Sequence, residues 1–130
     1  MIKVMQPNEL NRTFANLYNA RDLDGLLSLY ESNAAHQNAA TSSTDIGLPA
    51  IEVSLRALLD LEGAMTSRNN FCITANDLAL LRADWMIVDA KGREIAQGSS
   101  VEIARRQQDG SWRTVIDHAI GASIPRLADR

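Results

Sequence analysis

Residues Ala104–Ala122 read ARRQQDGSWRTVIDHAIGA. Asp109-Gly110 is a tight-turn signal between two strand-like arms. In the second arm, strict alternation puts Trp112, Thr114, Ile116 and His118 on one face. Arg113, Val115, Asp117 and Ala119 fall on the other. Asp117 and His118 are adjacent, so they point to opposite faces and cannot form a facing pair. In the first arm, SVEIARR, Val101 and Ile103 share a face, and Glu102 and Ala104 share the opposite one. A second turn signal, DAKG (Asp89–Gly92), separates LALLRADWMIV from REIAQGSS, and FCITANDLALL breaks at Asn76-Asp77. These signals predict an antiparallel meander of about four strands.

The N-terminal half has a different period. In QPNELNRTFANLYNARD, Leu10, Phe14, Leu17 and Tyr18 form an apolar helical stripe behind a proline suited to a first turn. DLDGLLSLYES predicts a second, short helix with Asp22 as its N-cap. AAHQNAATSSTDIG predicts a short strand over Ala34–Asn38 and then a loop. LPAIEVSLRALLDLEG predicts a third helix, with Ile51, Leu55, Leu58 and Leu59 at helical spacing and Gly63 as its stop. The tail SIPRLADR is expected to be frayed. Helices first and strands later predict an α+β domain in which helices cover one face of a sheet.

Composition narrows the function. The chain has 130 residues, is 45% hydrophobic and carries a formal net charge of −3. This predicts a single domain over residues 1–130. A mild acidic balance gives no electrostatic reason to expect nucleic acid or anionic lipid. No apolar run approaches the ~20 residues that span a bilayer. No secretory leader is read at the N-terminus, so the expected compartment is cytoplasmic. Cys72 is the single cysteine, sits in an apolar run and reads as a small core residue. No Cys/His spacing suggests a metal site. No glycine-rich phosphate loop and no nucleophile elbow occurs.

Three stretches together resemble the nuclear transport factor 2-like superfamily, which includes ketosteroid isomerases and polyketide cyclases. NARDLDGLLSLYESNAA resembles the junction of its first two helices. DIGLPAIEVSLRALL resembles its third helix. GSSVEIARRQQDGSWRTVIDHAIG resembles its closing hairpin. The resemblance covers most of residues 7–122. It implies a cone-shaped domain with three N-terminal helices packed on a curved antiparallel sheet around a cavity. It also implies homodimers formed through the outer sheet face. Ketosteroid isomerases use a first-helix tyrosine, a proton-moving aspartate and an acidic hydrogen-bond donor. By that resemblance these positions fall on Phe14, Asn38 and Glu102. A phenyl ring donates no hydrogen bond and an amide is no base, which argues against steroid-isomerase chemistry.

Asp117 is the leading candidate for a catalytic carboxylate, because in the superfamily side chains of its parity line the cavity. Among Val115, Ala119 and helix side chains it would be desolvated and poised as an acid or base. The alternative is a solvated or arginine-paired strand end. Glu102, on the preceding arm, either couples to Asp117 or answers Arg105 or Arg113 at the surface. Arg82 and Asp84 share a parity. If it is inward they form an ion pair on the cavity wall; if outward, Trp85 and Leu81 point in. His36 and Asn38 share a face near the cavity mouth, where the imidazole is either an acid-base group or simply solvated. His118 and Trp112 are assigned to the outer, assembly side. The expected ligand is small and apolar or cyclic, bound among Phe14, His36, Asn38, Arg82, Asp84, Trp85 and Val115. The expected chemistry is isomerase-, cyclase- or dehydratase-like proton transfer by Asp117 and Glu102, with no cofactor and no metal. The alternative is a noncatalytic ligand-binding or dimerisation module.

Overall fold

A computed structural model describes residues 2–127 of the chain. Pro7 opens a 3-10 turn, Pro7–Glu9, that runs into helix α1, Leu10–Asn19. The apolar stripe of α1 buries Leu10, Leu17 and Tyr18. Helix α2, Leu23–Leu27, is capped by Asp22, whose side chain accepts from the Gly25 amide at 2.8 Å. Helix α3, Leu48–Leu59, starts after Gly47, whose φ of 87° suits glycine. It buries Ile51 and Leu55.

Six strands follow or interleave: β1 Tyr30–Asn38, β2 Ser43–Ile46, β3 Ala64–Ala75, β4 Leu78–Val88, β5 Glu94–Arg106 and β6 Trp112–His118. They form one sheet in the order β2-β1-β6-β5-β4-β3. The predicted meander is β3–β6, antiparallel throughout. Three features go beyond the sequence reading. The first strand starts at Tyr30, inside the stretch read as helical. The segment read as loop contains β2. And β1 joins the sheet by pairing parallel to β6. The helices cover the concave face, where Leu26, Tyr18, Tyr30, Ile51, Leu55, Leu81 and Ile87 are fully enclosed.

Bulges shape the sheet. On β6, Ile116 pairs with Ile103 but Thr114 pairs with Ala104, so Val115 has no partner on β5. Asn70 on β3 is similarly extra, as Asn69 pairs with Ala83 and Phe71 with Arg82. An extra residue bends a strand and resets its parity. The Val115 bulge corrects the predicted alternation of β6. Trp112 and Thr114 are buried inward, and Asp117 is also inward. Ile116 is 48% exposed on the outer face. Trp112 therefore belongs to the core, where its amide donates to the Val4 carbonyl, and not to an outer assembly face. The chain after β6 is also less frayed than expected. The Ala122 amide donates to Ser99 O and the Ser99 amide to Ser123 Oγ, fastening the tail to β5. The last residues of the predicted frayed tail, 128–130, lie outside the described residues.

Candidate functional site

The concave face and the helices enclose a cavity of about 370 Å³. Volumes of this order suit a small organic ligand. Its apolar wall includes Phe14 of α1, Leu55 and Leu58 of α3, Met65 of β3 and Leu81 of β4. Trp85 forms another wall, and its Nε1 donates to Ala119 O at 2.6 Å, fixing the segment after β6, whose Ala119 and Ile120 also line the cavity. Gly98 permits this approach, since a Cβ there would stand 2.9 Å from Ile120 and 3.2 Å from the Trp85 ring.

Polar groups converge on one part of this apolar space. Register places Asp117 of β6 directly beside Glu102 of β5, and both line the cavity. The Tyr30 hydroxyl donates to Asp117 Oδ2 at 2.6 Å. Asn11 of α1 donates from Nδ2 to Glu102 Oε1 at 3.1 Å and to Asn69 Oδ1 at 3.0 Å. Glu102 is only 7% exposed. Burial, and then the neighbouring Asp117 carboxylate, push its pKa up to about 8, against opposing hydrogen bonds from Ser100 and Asn11. It therefore carries a proton at neutral pH. Burial also pushes the Tyr30 hydroxyl well above its ordinary value, with Asp117 adding to the effect. Tyr30 stays a donor across the physiological range.

A second polar group lies at the β1–β2 side. His36 pairs in register with Asp45 on one side and with Asp117 on the other. His36 Nδ1 stands 3.2 Å from Asp45 Oδ2. That same oxygen accepts from Ser54 Oγ at 2.6 Å, and Ser54 in turn accepts from Asn38 Nδ2 at 3.1 Å. Asn38 Oδ1 accepts the Ala40 and Thr41 amides, shaping the turn between β1 and β2.

The geometry sorts the predicted residues. Phe14, His36, Asn38, Trp85, Glu102 and Asp117 all line one cavity. Val115 does not, because it is the bulged residue. Arg82 and Asp84 are corrections as well. Their parity is outward, and Leu81 and Trp85 point in, the second of the two arrangements the sequence allowed. Asp84 is exposed and accepts from Ser99 Oγ at 2.6 Å and Asn70 Nδ2 at 3.1 Å, so it makes no cavity ion pair. The first of these bonds, then the second, lowers its pKa.

Sequence reasoning missed Tyr30, Asn11, Asp45 and Ser54. Tyr30 was hidden by its assignment to a helix. Asn11 and Ser54 carried a usable signal, since each is a polar residue on an apolar helical face. Asn11 falls three residues before Phe14, and Ser54 four before Leu58. Among the described residues no group of three His, Cys, Asp or Glu side chains is placed to hold a metal ion.

A curved sheet closed by N-terminal helices over a polar-floored cavity defines a class of fold. Comparison with solved structures identifies it. A putative calcium/calmodulin-dependent protein kinase type II association domain from Thiobacillus denitrificans superposes with a TM-score of 0.77 at 18% identity. That match covers 92% of this chain and 98% of the other. A Nostoc punctiforme protein of unknown function with a cystatin-like fold gives 0.75 at 18% identity, covering 85% and 84%. An NTF2-like protein of unknown function from Pseudomonas putida KT2440 gives 0.68 at 20% identity, covering 85% and 80%. The chain has the nuclear transport factor 2-like, cystatin-like α+β fold. No family model and no curated protein matches its sequence. Among the described residues no helix is long and apolar enough to cross a membrane.

Proposed function

We propose that the protein is a small-molecule pocket enzyme that moves a proton on an apolar, carbonyl-bearing ligand. Glu102 is the acid. The observation that carries this reading is the pairing of Glu102 and Asp117 inside one apolar cavity, each with its own neutral donor. Asn11 serves Glu102, and Tyr30 serves Asp117. Two adjacent buried carboxyls cannot both ionise cheaply, so one keeps its proton. A neutral carboxylic acid in a water-poor site can donate to an oxygen where negative charge develops. Asp117 has one oxygen committed to Tyr30. Its role is to hold the proton on Glu102 and to steady the site, rather than to act as the free base suggested by strand parity alone.

The test uses 2-tetralone, a bicyclic apolar ketone with acidic α-protons. Exchange of those protons in deuterated water is followed by NMR. The wild type is expected to accelerate exchange over buffer, and Glu102→Gln to lose about 10²-fold or more of that acceleration, the usual size of a general-acid contribution. Binding of 2-tetralone without exchange favours the alternative, a noncatalytic ligand-binding module.

We also propose that the protein is a homodimer through the outer sheet face. Ile73, Leu80, Ile103 and Ile116 pair in register as an apolar row across β3, β4, β5 and β6. Ile73 is 58% exposed. Beside the row, Arg82 and His118 flank Val101, and among the described residues Arg82 Nε and His118 Nδ1 are buried with no hydrogen-bond partner. Orphaned buried polar atoms are uncommon in a finished structure, so a facing copy would supply both cover and hydrogen-bond partners. Sedimentation of wild type and Leu80→Asp tests this. A monomeric wild type refutes it.

A further inference from the structure

The proposed reaction has an acid but no assigned base, and this inference rests on that reading. Register across four adjacent strands gives one continuous row: Asp45 on β2, His36 on β1, Asp117 on β6 and Glu102 on β5. Directly paired residues project to the same side of a sheet, and strands lie about 4.8 Å apart. The backbones of His36 and Glu102 are therefore roughly 10 Å apart, with Asp117 between them. A small ring lying over Asp117 can touch both side chains.

The state of His36 is set by its neighbours. Nδ1 faces Asp45 Oδ2, a carboxylate oxygen that also accepts from Ser54. A carboxylate in that place selects the tautomer with the proton on Nδ1 and leaves the Nε2 lone pair free. Among the described residues Nε2 has no hydrogen-bond partner, and the ring lines the cavity. The Asn38–Ser54–Asp45 chain of hydrogen bonds holds the carboxylate in place. The charged groups facing the imidazole are Asp45 from β2 and Asp117 from β6, with Glu102 next along on β5. From α3 the uncharged Ser54 shares Asp45 Oδ2 with the imidazole, and Glu52 and Arg56 pair with each other at the surface.

We infer that His36, through Nε2, is the base that removes a proton from a substrate carbon, working opposite the Glu102 carboxyl. The C–H bond breaks and an N–H bond forms at Nε2. The C–H electron pair becomes a carbon–carbon double bond. The carbonyl π pair moves to oxygen, which accepts a hydrogen bond from the Glu102 carboxyl while Glu102 keeps its proton beside Asp117. The products of this step are a hydrogen-bonded enolate and an imidazolium, and the reverse step returns the proton to carbon. Charge and atoms balance without an added reactant. The substrate class is an enolisable ketone on an apolar ring. Asp45 is a positioning residue.

The 2-tetralone exchange assay separates this from the broader reading. His36→Gln keeps a hydrogen-bonding side chain near Asp45 and is expected to lose 10²-fold or more of the exchange rate while still binding the ketone. Asp45→Asn keeps the imidazole and is expected to lose less of the exchange rate, with ketone binding unchanged. His118, the other histidine of the chain, provides the control: His118→Gln is expected to leave the rate unchanged. If His36→Gln exchanges 2-tetralone as fast as wild type while Glu102→Gln does not, the inference is overturned and the cavity acid stands. If the wild type binds 2-tetralone without exchange, or does not bind it, the proposed function falls and the inference with it. A rate loss in His36→Gln together with an equal loss of ketone binding also overturns it, since a base that acts in the chemical step need not carry affinity.

Discussion

Glu102→Gln should remove most of the pH dependence of stability between pH 5 and 8. Folding raises the Glu102 pKa from an ordinary 4.5 to about 8. Within that window the folded protein holds a proton that the unfolded chain has released. Stability is therefore fully present below 4.5 and is lost as pH rises through about 8. Each pH unit in the window costs about 1.4 kcal/mol, which sums to roughly 3–5 kcal/mol across it. For a domain of this size that is a fall in Tm of order 10 °C. The glutamine is neutral at every pH, fits the same space and still accepts from Asn11. The variant should match the wild type near pH 5 and exceed it by several kcal/mol at pH 8. Other perturbed carboxyls do not intrude. Asp84, Asp89 and Asp109 are all lowered from 3.8 by hydrogen bonds, so their contributions are present above that value and are lost only as pH falls. The histidines are common to both proteins and cancel in the difference. The measurement is urea denaturation at half-unit steps from pH 5 to 8.5. Parallel curves for the two proteins would refute the reasoning, because they would mean that Glu102 ionises in the fold as readily as in the unfolded chain.

Tyr30→Phe leaves Asp117 Oδ2 without its 2.6 Å donor. It should cost about 1–3 kcal/mol at neutral pH, read from urea midpoints, and a change under 0.5 kcal/mol would show that water replaces the hydroxyl. Gly98→Ala puts a methyl against Ile120 and the Trp85 ring. It should destabilise by about 1–3 kcal/mol and shift tryptophan emission to the red as the Trp85–Ala119 bond loosens; unchanged emission and stability would refute that tight closure. Deleting Val115 removes the extra residue of β6. The strand should then either turn Asp117 outward, abolishing ketone binding with the fold retained, or fail to pair, so full binding by a folded variant would exclude the bulge as the cause of the Asp117 orientation.

The architecture was legible because it depends on periodicity and turns. The three helices follow from apolar spacing, and the β3–β6 meander follows from its alternating arms and the DAKG and QQDG turns. The site was legible in part, for a reason visible in single residues. Glu102 and Asp117 could be placed together because they lie on two arms of one hairpin. Tyr30 could not, because the parallel β1–β6 pairing that brings it to Asp117 crosses more than eighty residues of sequence and leaves no local pattern. Strand parity predicted Asp117 correctly as inward while misplacing Trp112 and Val115. Both outcomes have one cause: counting from the turn fails at the bulge, and counting from the cavity end of the strand does not. The bulge also gives the site its form. Without Val115, Thr114 and Asp117 could not both face inward, and the row from Asp45 through His36 and Asp117 to Glu102 would be broken. An extra residue that costs a ladder hydrogen bond, beside a carboxyl pair that costs stability at neutral pH, places two unfavourable features at one point of the sheet. Such features persist where function requires them, and here they converge on a single cavity wall.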